Sequence, residues 1–277
     1  MQQEVERPTQ MSLIHPTAII EPGAQIGENV HIGPFCVIGP NVVIGDDCTL
    51  HSRVTIVGHT TIGSDNEIHP NAVLGSSPQD LKYRGGPTQL IIGNGNQIRE
   101  AVTIHTGTEA GTGITRIGNN NLLMVNAHIG HDATFGDRCL VGNNVMIAGH
   151  VNCLDGAALM GGVGVHHFVT IGEYCYIAGY ARVMHDVPPY VKVDNTAAVR
   201  AVNHVGLKRN GFTEEEIDAI DAAARRLFFG RDKPFSRMLA ELGEAPALNP
   251  RVRYLVEFLH RRNEGRHGRY LESLRTK

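Results

Sequence analysis

From Ile14 to Val183 an aliphatic residue returns every six positions, commonly followed by glycine and preceded two places earlier by a small apolar residue. The anchors run Ile14, Ile20, Ile26, Ile32, Ile38, Ile44, Leu50, Ile56, Ile62, Ile68 and Leu74, then Ile92, Ile98 and Ile104. After a slip of one in the phase they resume at Ile117, Leu123, Ile129, Phe135, Val141, Ile147, Cys153, Leu159, Val165, Ile171, Ile177 and Val183. Every anchor is apolar in a chain that is only 42% hydrophobic overall, which removes chance as an explanation.

A period of six fits neither the helical 3.6 nor the simple alternation of a long strand; it fits short strands joined by tight corners. Pro16, Pro22, Pro34, Pro40 and Pro70 all fall two places after an anchor, where Asp46, Asn94, Asn119, Asp137 and Asn143 also sit. That is turn chemistry at one fixed phase. Three hexads closing a triangular coil, stacked ~4.8 Å from the next, build a prism whose inward rows of Ile and Val bury one another. The expected fold is therefore an all-β hexapeptide-repeat solenoid of parallel strands over residues 12–190, after an N-terminal tail at 1–11.

After Pro188-Pro189 the beat stops and helical signals begin. Thr213-Glu214-Glu215-Glu216 has the form of a capping box ahead of Ile217, Ile220 and Leu227, while Pro234 and Pro250 mark further helix starts. A small α-helical domain is expected over 191–277. The charges divide with the domains: residues 1–189 carry 8 Lys+Arg against 16 Asp+Glu, and 190–277 carry 17 against 12. A basic second part suits phosphates or an acidic protein partner, with a solvated helix surface as the alternative. Cys36, Cys48, Cys139 and Cys175 fall at the small-residue phase and Cys153 at an anchor, which reads as core filler in a reducing compartment. No apolar run reaches the ~20 residues of a membrane span and Met1–Gln10 is polar, so a soluble, cytoplasmic protein without stable membrane insertion is expected.

Two places break the beat, and an insertion in a solenoid usually becomes a loop on one face. The first is 76–90, containing Gln79-Asp80-Leu81-Lys82-Tyr83; the second lies between Ile104 and Ile117, through Gly107, Gly111 and Gly113. Counting by 18, with the second break treated as a one-residue bulge, puts Leu74, Ile92, Ile129, Ile147 and Val165 on one face. The same count gathers His131, His150, His166 and His167 at one edge, with His128 on the same segment as His131 and His105 beside the second break. A positioned imidazole can remove a hydroxyl proton and return it to a leaving group. His131 is the candidate base, Asp132 a candidate for orienting it, and Gly149 a candidate backbone N–H donor to an oxyanion. Convergence of several histidines on zinc is the competing chemistry, and a non-catalytic binding scaffold the third.

The quoted residues carry a family resemblance. His15-Pro16-Thr17-Ala18, Gln79-Asp80-Leu81-Lys82-Tyr83, Arg99-Glu100-x-Val102-Thr103-Ile104-His105 and Asn121-Leu122-Leu123-Met124-x-Asn126-Ala127-His128-Ile129-x-His131-Asp132 all belong to it. So do Ala148-Gly149-His150-Val151, Asp186-Val187-Pro188-Pro189-Tyr190 and Gly206-Leu207-Lys208-Arg209-x-Gly211-Phe212. The chain resembles the acyl-carrier-protein-dependent UDP-N-acetylglucosamine O-acyltransferases that begin lipid A synthesis, hexapeptide-repeat enzymes with a left-handed parallel β-helix. The resemblance implies a homotrimer with each site between neighbouring prisms. It implies transfer of a 3-hydroxy fatty acyl group from acyl carrier protein to the sugar 3-hydroxyl, with no cofactor, no metal and no nucleic acid. It makes His131 the general base and Gly149 the oxyanion donor. Asp80, His128 and His150 would hold the sugar or the acyl 3-hydroxyl, and Lys82 and His105 would support the site. His166 and His167 would face it, Gly179 would end the acyl pocket, and Asn203 with Arg209 would meet the nucleotide. N-acylation of a 3-amino analogue of the sugar nucleotide is the close variant. The sequence departs from the family pattern at His167, commonly Gln, at Asn210, where a second Arg is usual, and in Lys192–Arg200, which is one residue short.

Overall fold

A computed structural model describes residues 13–230 and 232–275; the expected tail at 1–11 lies outside the described residues. Among the described residues three sheets form the sides of a prism, of nine, eight and ten strands, parallel throughout except for the last strand of the third. In chain order we call them the first, second and third faces, beginning with Ile19–Ile20, Gln25–Ile26 and His31–Ile32. Strands of two residues predominate, and in each the anchor points inward: Ile38, Ile56, Ile104, Ile129 and Ile147 are wholly buried. Deleting one of them, as in Ile147→Ala, costs about 2–5 kcal/mol because its coil neighbours cannot collapse into the gap.

The corners explain the rest of the hexad. Residues three after an anchor adopt left-handed backbone, including Asn29, Asp47, Asp65, Asn120, Asn126, Asp132, Asn144 and His150. Asn and Asp tolerate this region through local hydrogen bonding. The Asp and Asn two after an anchor stack instead: the Asn94 N–H donates to Asn119 Oδ1, that of Asn119 to Asp137 Oδ1 and that of Asp137 to Asp155 Oδ1, at 2.7–2.9 Å. Inside the third face Asn66, Asn96 and Asn121 form a buried ladder in which each side-chain oxygen accepts from the next coil. All five cysteines are free and buried.

One expectation is corrected. Ile92 does not share a face with Leu74: it pairs with Ile62 and Ile117 on the second face, whereas Leu74 pairs with Ile104 on the first. Ile62 and Ile92 are 30 residues apart rather than 18, so the first break inserts twelve residues, two whole hexads, and leaves the phase unmarked. Ile92 and Ile117 are 25 apart, so the second break inserts seven, one hexad and one residue, not a one-residue bulge. The two insertions together equal one coil and one residue. Leu74, Ile129, Ile147 and Val165 therefore still fall on the first face, with two coil steps rather than three from Leu74 to Ile129.

Val191–Val193 adds a last parallel strand to the third face and Val199–Val202 turns back antiparallel to it. Helices follow: α1 (His204–Arg209), α2 (Glu214–Ala224), α3 (Phe235–Gly243), α4 (Pro250–Glu264) and α5 (Tyr270–Ser273). Both bonds of the Thr213–Glu216 capping box form, and Pro250 opens α4 behind the Asn249 cap. The helices have their own core around Leu207, Ile220, Leu239, Leu255 and Leu259. They return to the prism through Arg269 Nη1, which donates to Met184 O at 2.6 Å, and the Tyr270 N–H, which donates to Asp186 Oδ2 at 2.9 Å. Among the described residues no helix is long and apolar enough to cross a membrane.

Candidate active site

The edge between the first and second faces gathers most of the expected site residues. His131 and Asp132 occupy the corner after Ile129, and Gly149 and His150 the same corner one coil on, after Ile147. Adjacent side chains usually diverge, but Asp132 sits at φ 59°, and this left-handed turn brings its carboxylate to 2.8 Å from His131 Nδ1. His131 Nδ1–H then donates to Asp132 Oδ2, leaving Nε2 as the acceptor.

Asp132 is held by the second inserted loop. Its oxygens accept from Thr108 Oγ1 at 2.7 Å, from the N–H groups of Thr108, Thr112 and Gly113, and from Thr112 Oγ1. Burial would raise its pKa, yet the hydrogen bonds from His131 and Thr108 outweigh that and bring it down to about 2. Sequence reasoning did not find this Thr cradle; its signal was the Thr- and Gly-rich composition of the break. Glu109 in the same loop accepts from the N–H groups of Arg84 and Gly86, tying the two inserted loops together.

His150 Nε2 lies 3.9 Å from Asp132 Oδ2, and its ring packs edge-on to His131 at 5.0 Å and flat on Phe168 at 4.4 Å. His131, Asp132 and His150 thus meet a distance test for a metal site. The carboxylate's acceptor positions are already occupied by the Thr108–Gly113 donors and His131, so the donor set favours an orienting anion over a ligand.

Gly149 lies against the His131 ring: a Cβ there would stand 2.5 Å from Cε1 and 2.6 Å from Nε2. Its N–H donates to no acceptor among the described residues, as an oxyanion donor requires. Gly149→Ala keeps the N–H but is expected to displace the His131 ring and lower kcat by about 10²–10⁴-fold, the scale of losing a positioned general base, with little loss of stability. Steady-state kinetics beside a urea melt check this.

Two clefts meet at His131. One of about 410 Å³ is lined by Met146, Gly164 and Met184 over the buried Ile147 and Val165, with His105 and His128 on its wall and Arg182 at its end. The other, about 870 Å³, is bounded by Asp80 and Lys82 from the first inserted loop, by His150 and Phe168, and by Leu274 and Arg275 from the C-terminal segment. Gln79, His131, His166 and His167 line both. The His131 and His167 rings are 6.4 Å apart within one chain, so the expected clustering of histidines and the Asp80 loop needs no second subunit. Gln79, Met146, Arg182 and Arg275 were not foreseen.

Not every expected residue comes here. Gly179 lies at the edge between the third and first faces, where a Cβ would stand 3.2 Å from Gly161 O, and lines neither cleft. Asn203 is buried and engaged: its Oδ1 accepts from the Gly206 N–H as the cap of α1 and its Nδ2 donates to Tyr174 O at 2.8 Å. Arg209 is exposed in the last turn of α1, away from both clefts.

Burial lowers the pKa of His128, His150 and His167, so these rings stay neutral around His131. His105 is lowered furthest, to about 4, by burial and then by the charges of His128 and His131. Its Nδ1 is buried without a hydrogen-bond partner. An unfolded imidazole binds its proton near pH ~6.5, so below that the unfolded chain gains a proton that folded His105 refuses until about pH 4. Stability therefore falls with acidification between these values. Asp186, raised to about 6 by burial, acts in the opposite sense but is common to wild type and variant. His105→Gln is expected to reduce the stability difference between pH 7 and 4.5 by on the order of 2 kcal/mol, measured by urea unfolding.

With the geometry described, comparisons place the chain among known proteins. A family model described as the second domain of UDP-N-acetylglucosamine O-acyltransferase matches residues 186–268, and one for bacterial transferase hexapeptide repeats matches 10–40, 41–76 and 114–149. A UDP-N-acetylglucosamine acyltransferase from Bacteroides fragilis is 42% identical, with 89% of this chain and 96% of that one covered and a TM-score of 0.84. The Francisella novicida enzyme is 39% identical over 89% and 91%, at TM-score 0.85. An Arabidopsis enzyme is 35% identical over 89% and 96%, at 0.78. The fold is thus the left-handed parallel β-helix with a small helical C-terminal domain that the resemblance implied.

Proposed function

The chain belongs to the UDP-N-acetylglucosamine O-acyltransferase family, and from that premise we propose that it transfers a 3-hydroxy fatty acyl group from acyl carrier protein to the 3-hydroxyl of UDP-N-acetylglucosamine, as an early step of lipid A synthesis in the cytoplasm. The observation that carries this is the Asp132–His131–Gly149 line, a fixed carboxylate, an imidazole with its free nitrogen at the meeting of two clefts, and an unengaged N–H against it.

In this reaction His131 Nε2 removes the proton of the sugar hydroxyl as its oxygen attacks the thioester carbonyl carbon. The Gly149 N–H stabilises the tetrahedral oxyanion. The carbon–sulfur bond then breaks, the carrier's thiolate leaves, and His131 returns the proton to sulfur. Asp132 keeps the imidazole in one tautomer and stabilises its cationic form. No step requires a metal.

The apolar cleft would take the start of the acyl chain, with His128 and His105 placed for its 3-hydroxyl, and the chain would run on toward the edge at Gly179. The larger cleft would take the sugar and diphosphate against Asp80, Lys82, His150, His166 and His167. Arg209 would meet the nucleotide from an adjoining subunit, on a helix fixed by Asn203. A homotrimer is supported by exposed apolar side chains on and beside the first face, among them Ile19, Phe35, Met146 and Tyr180. Parallel assays with UDP-N-acetylglucosamine and its 3-amino analogue as acceptors test the acceptor: faster turnover of the glucosamine nucleotide is expected, and preferential amide formation would replace the ester reading.

A further inference from the structure

On the edge where the third face turns into the first, far in sequence from His131, His51, Glu67 and His69 bring one ligand atom each to within 4.8 Å of the others. Thr49 pairs with Glu67 and Leu50 with Ile68, so His51 and His69 hold equivalent positions on successive coils, their rings stacked at 4.7 Å. Glu67 Oε1 is 3.0 Å from His51 Nε2 and 3.5 Å from His69 Nε2. A tetrahedral ion with bonds of ~2.0–2.1 Å separates its ligand atoms by about 3.3 Å. Two of the three edges already bracket that value. The third, at most 4.8 Å, closes by side-chain rotation at a half-exposed corner.

A separate observation points the same way. While His69 turns Nε2 to the cluster, its Nδ1 lies 3.7 Å from Glu100 Oε1. Glu100 is itself gripped by Arg99, Nε to Oε2 at 3.1 Å and Nη2 to Oε1 at 3.0 Å. Metal-bound imidazoles characteristically offer their second nitrogen to a carboxylate that is in turn held in place. A plain surface ion pair between Glu67 and a histidine needs no such chain of partners.

We propose that His51, Glu67 and His69 form a site for a borderline divalent cation such as zinc, with water completing the coordination and Glu100 positioning His69. Two imidazoles and a carboxylate suit zinc better than calcium or magnesium, which take shells of oxygen. The ion would clip two successive coils together and stabilise the folded chain by mass action. It stands apart from the reacting groups at His131 and Gly149, which lie on another edge of the prism.

The test is titration of chelator-dialysed protein with zinc chloride, followed by calorimetry and thermal unfolding. One equivalent per chain and a raised unfolding temperature are expected in wild type and in His131→Ala. Both are expected to be lost in His51→Ala and in His69→Ala. Glu67→Gln, which preserves shape, should abolish binding without unfolding the chain, and Glu100→Gln should weaken it about 10–100-fold. Absence of saturable binding, or binding unchanged in His51→Ala and His69→Ala, overturns the site. So does zinc lost only in His131→Ala.

Discussion

His131→Ala is expected to lower kcat by about 10³–10⁴-fold while the protein stays folded and binds its sugar nucleotide with nearly unchanged affinity. The ring is the one group that lines both clefts while resting on a fixed carboxylate, so no neighbour can take over the proton. His150 is nearest, yet its Nε2 is 3.9 Å from Asp132 and its ring is sandwiched against Phe168. His131 contributes nothing to the rows of anchors, so the melting midpoint should barely move. Initial rates alongside equilibrium binding of the nucleotide separate the two effects. Near-normal turnover would remove His131 as the base.

Asp132→Asn is expected to cost both rate and stability. Asparagine accepts the left-handed corner as readily as aspartate, so the backbone at φ 59° is not the cause. The cause is the amide, which cannot accept on both sides. Donors from Thr108, Thr112 and Gly113 converge on Oδ1, and Thr108 and His131 on Oδ2. An NH₂ group on either side faces donors and leaves them unsatisfied, a penalty of about 1–3 kcal/mol. Loss of the fixed tautomer should lower kcat by about 10²–10⁴-fold, on the scale of the equivalent change in a serine-protease triad. The carboxylate's stabilising contribution has a defined sign. With its pKa lowered to about 2, the contribution is present above the unfolded value near ~3.9 and lost as pH falls toward 2. Urea melts at pH 7 and pH 3 should therefore differ more in wild type than in Asp132→Asn. A variant with wild-type kcat and a lowered midpoint would show that the cradle serves only the loop.

How much of this was legible in the sequence depends on periodicity. The anchors announce the prism because an inward position in each hexad tolerates only apolar side chains, as Ile38, Ile129 and Val141 show. The Thr213–Glu216 box announced α2 because its two bonds are local in the chain. Counting failed at Ile92 because a twelve-residue insertion is invisible to a six-residue ruler; only strand pairing reveals it. The histidine edge was legible because His131, His150 and His166 keep their offsets from the anchors on coils without insertions. The cradle of Thr108 and Thr112 was not, since a loop's path follows from what it wraps and not from a repeat. The hold on Asn203 was not legible either, since its amide donates to Tyr174 O, which only the folded chain brings to the start of α1.

The central claim is the reaction itself. The most direct measurement incubates the purified protein with a 3-hydroxyacyl carrier protein and UDP-N-acetylglucosamine in the presence of a chelator, and identifies the product by mass and by its site of acylation. A single 3-O-acyl ester of the sugar nucleotide, released with one equivalent of free carrier thiol and absent with His131→Ala, is the predicted result. Hydrolysis of the thioester without transfer, or transfer that stops when metal is chelated, would contradict it.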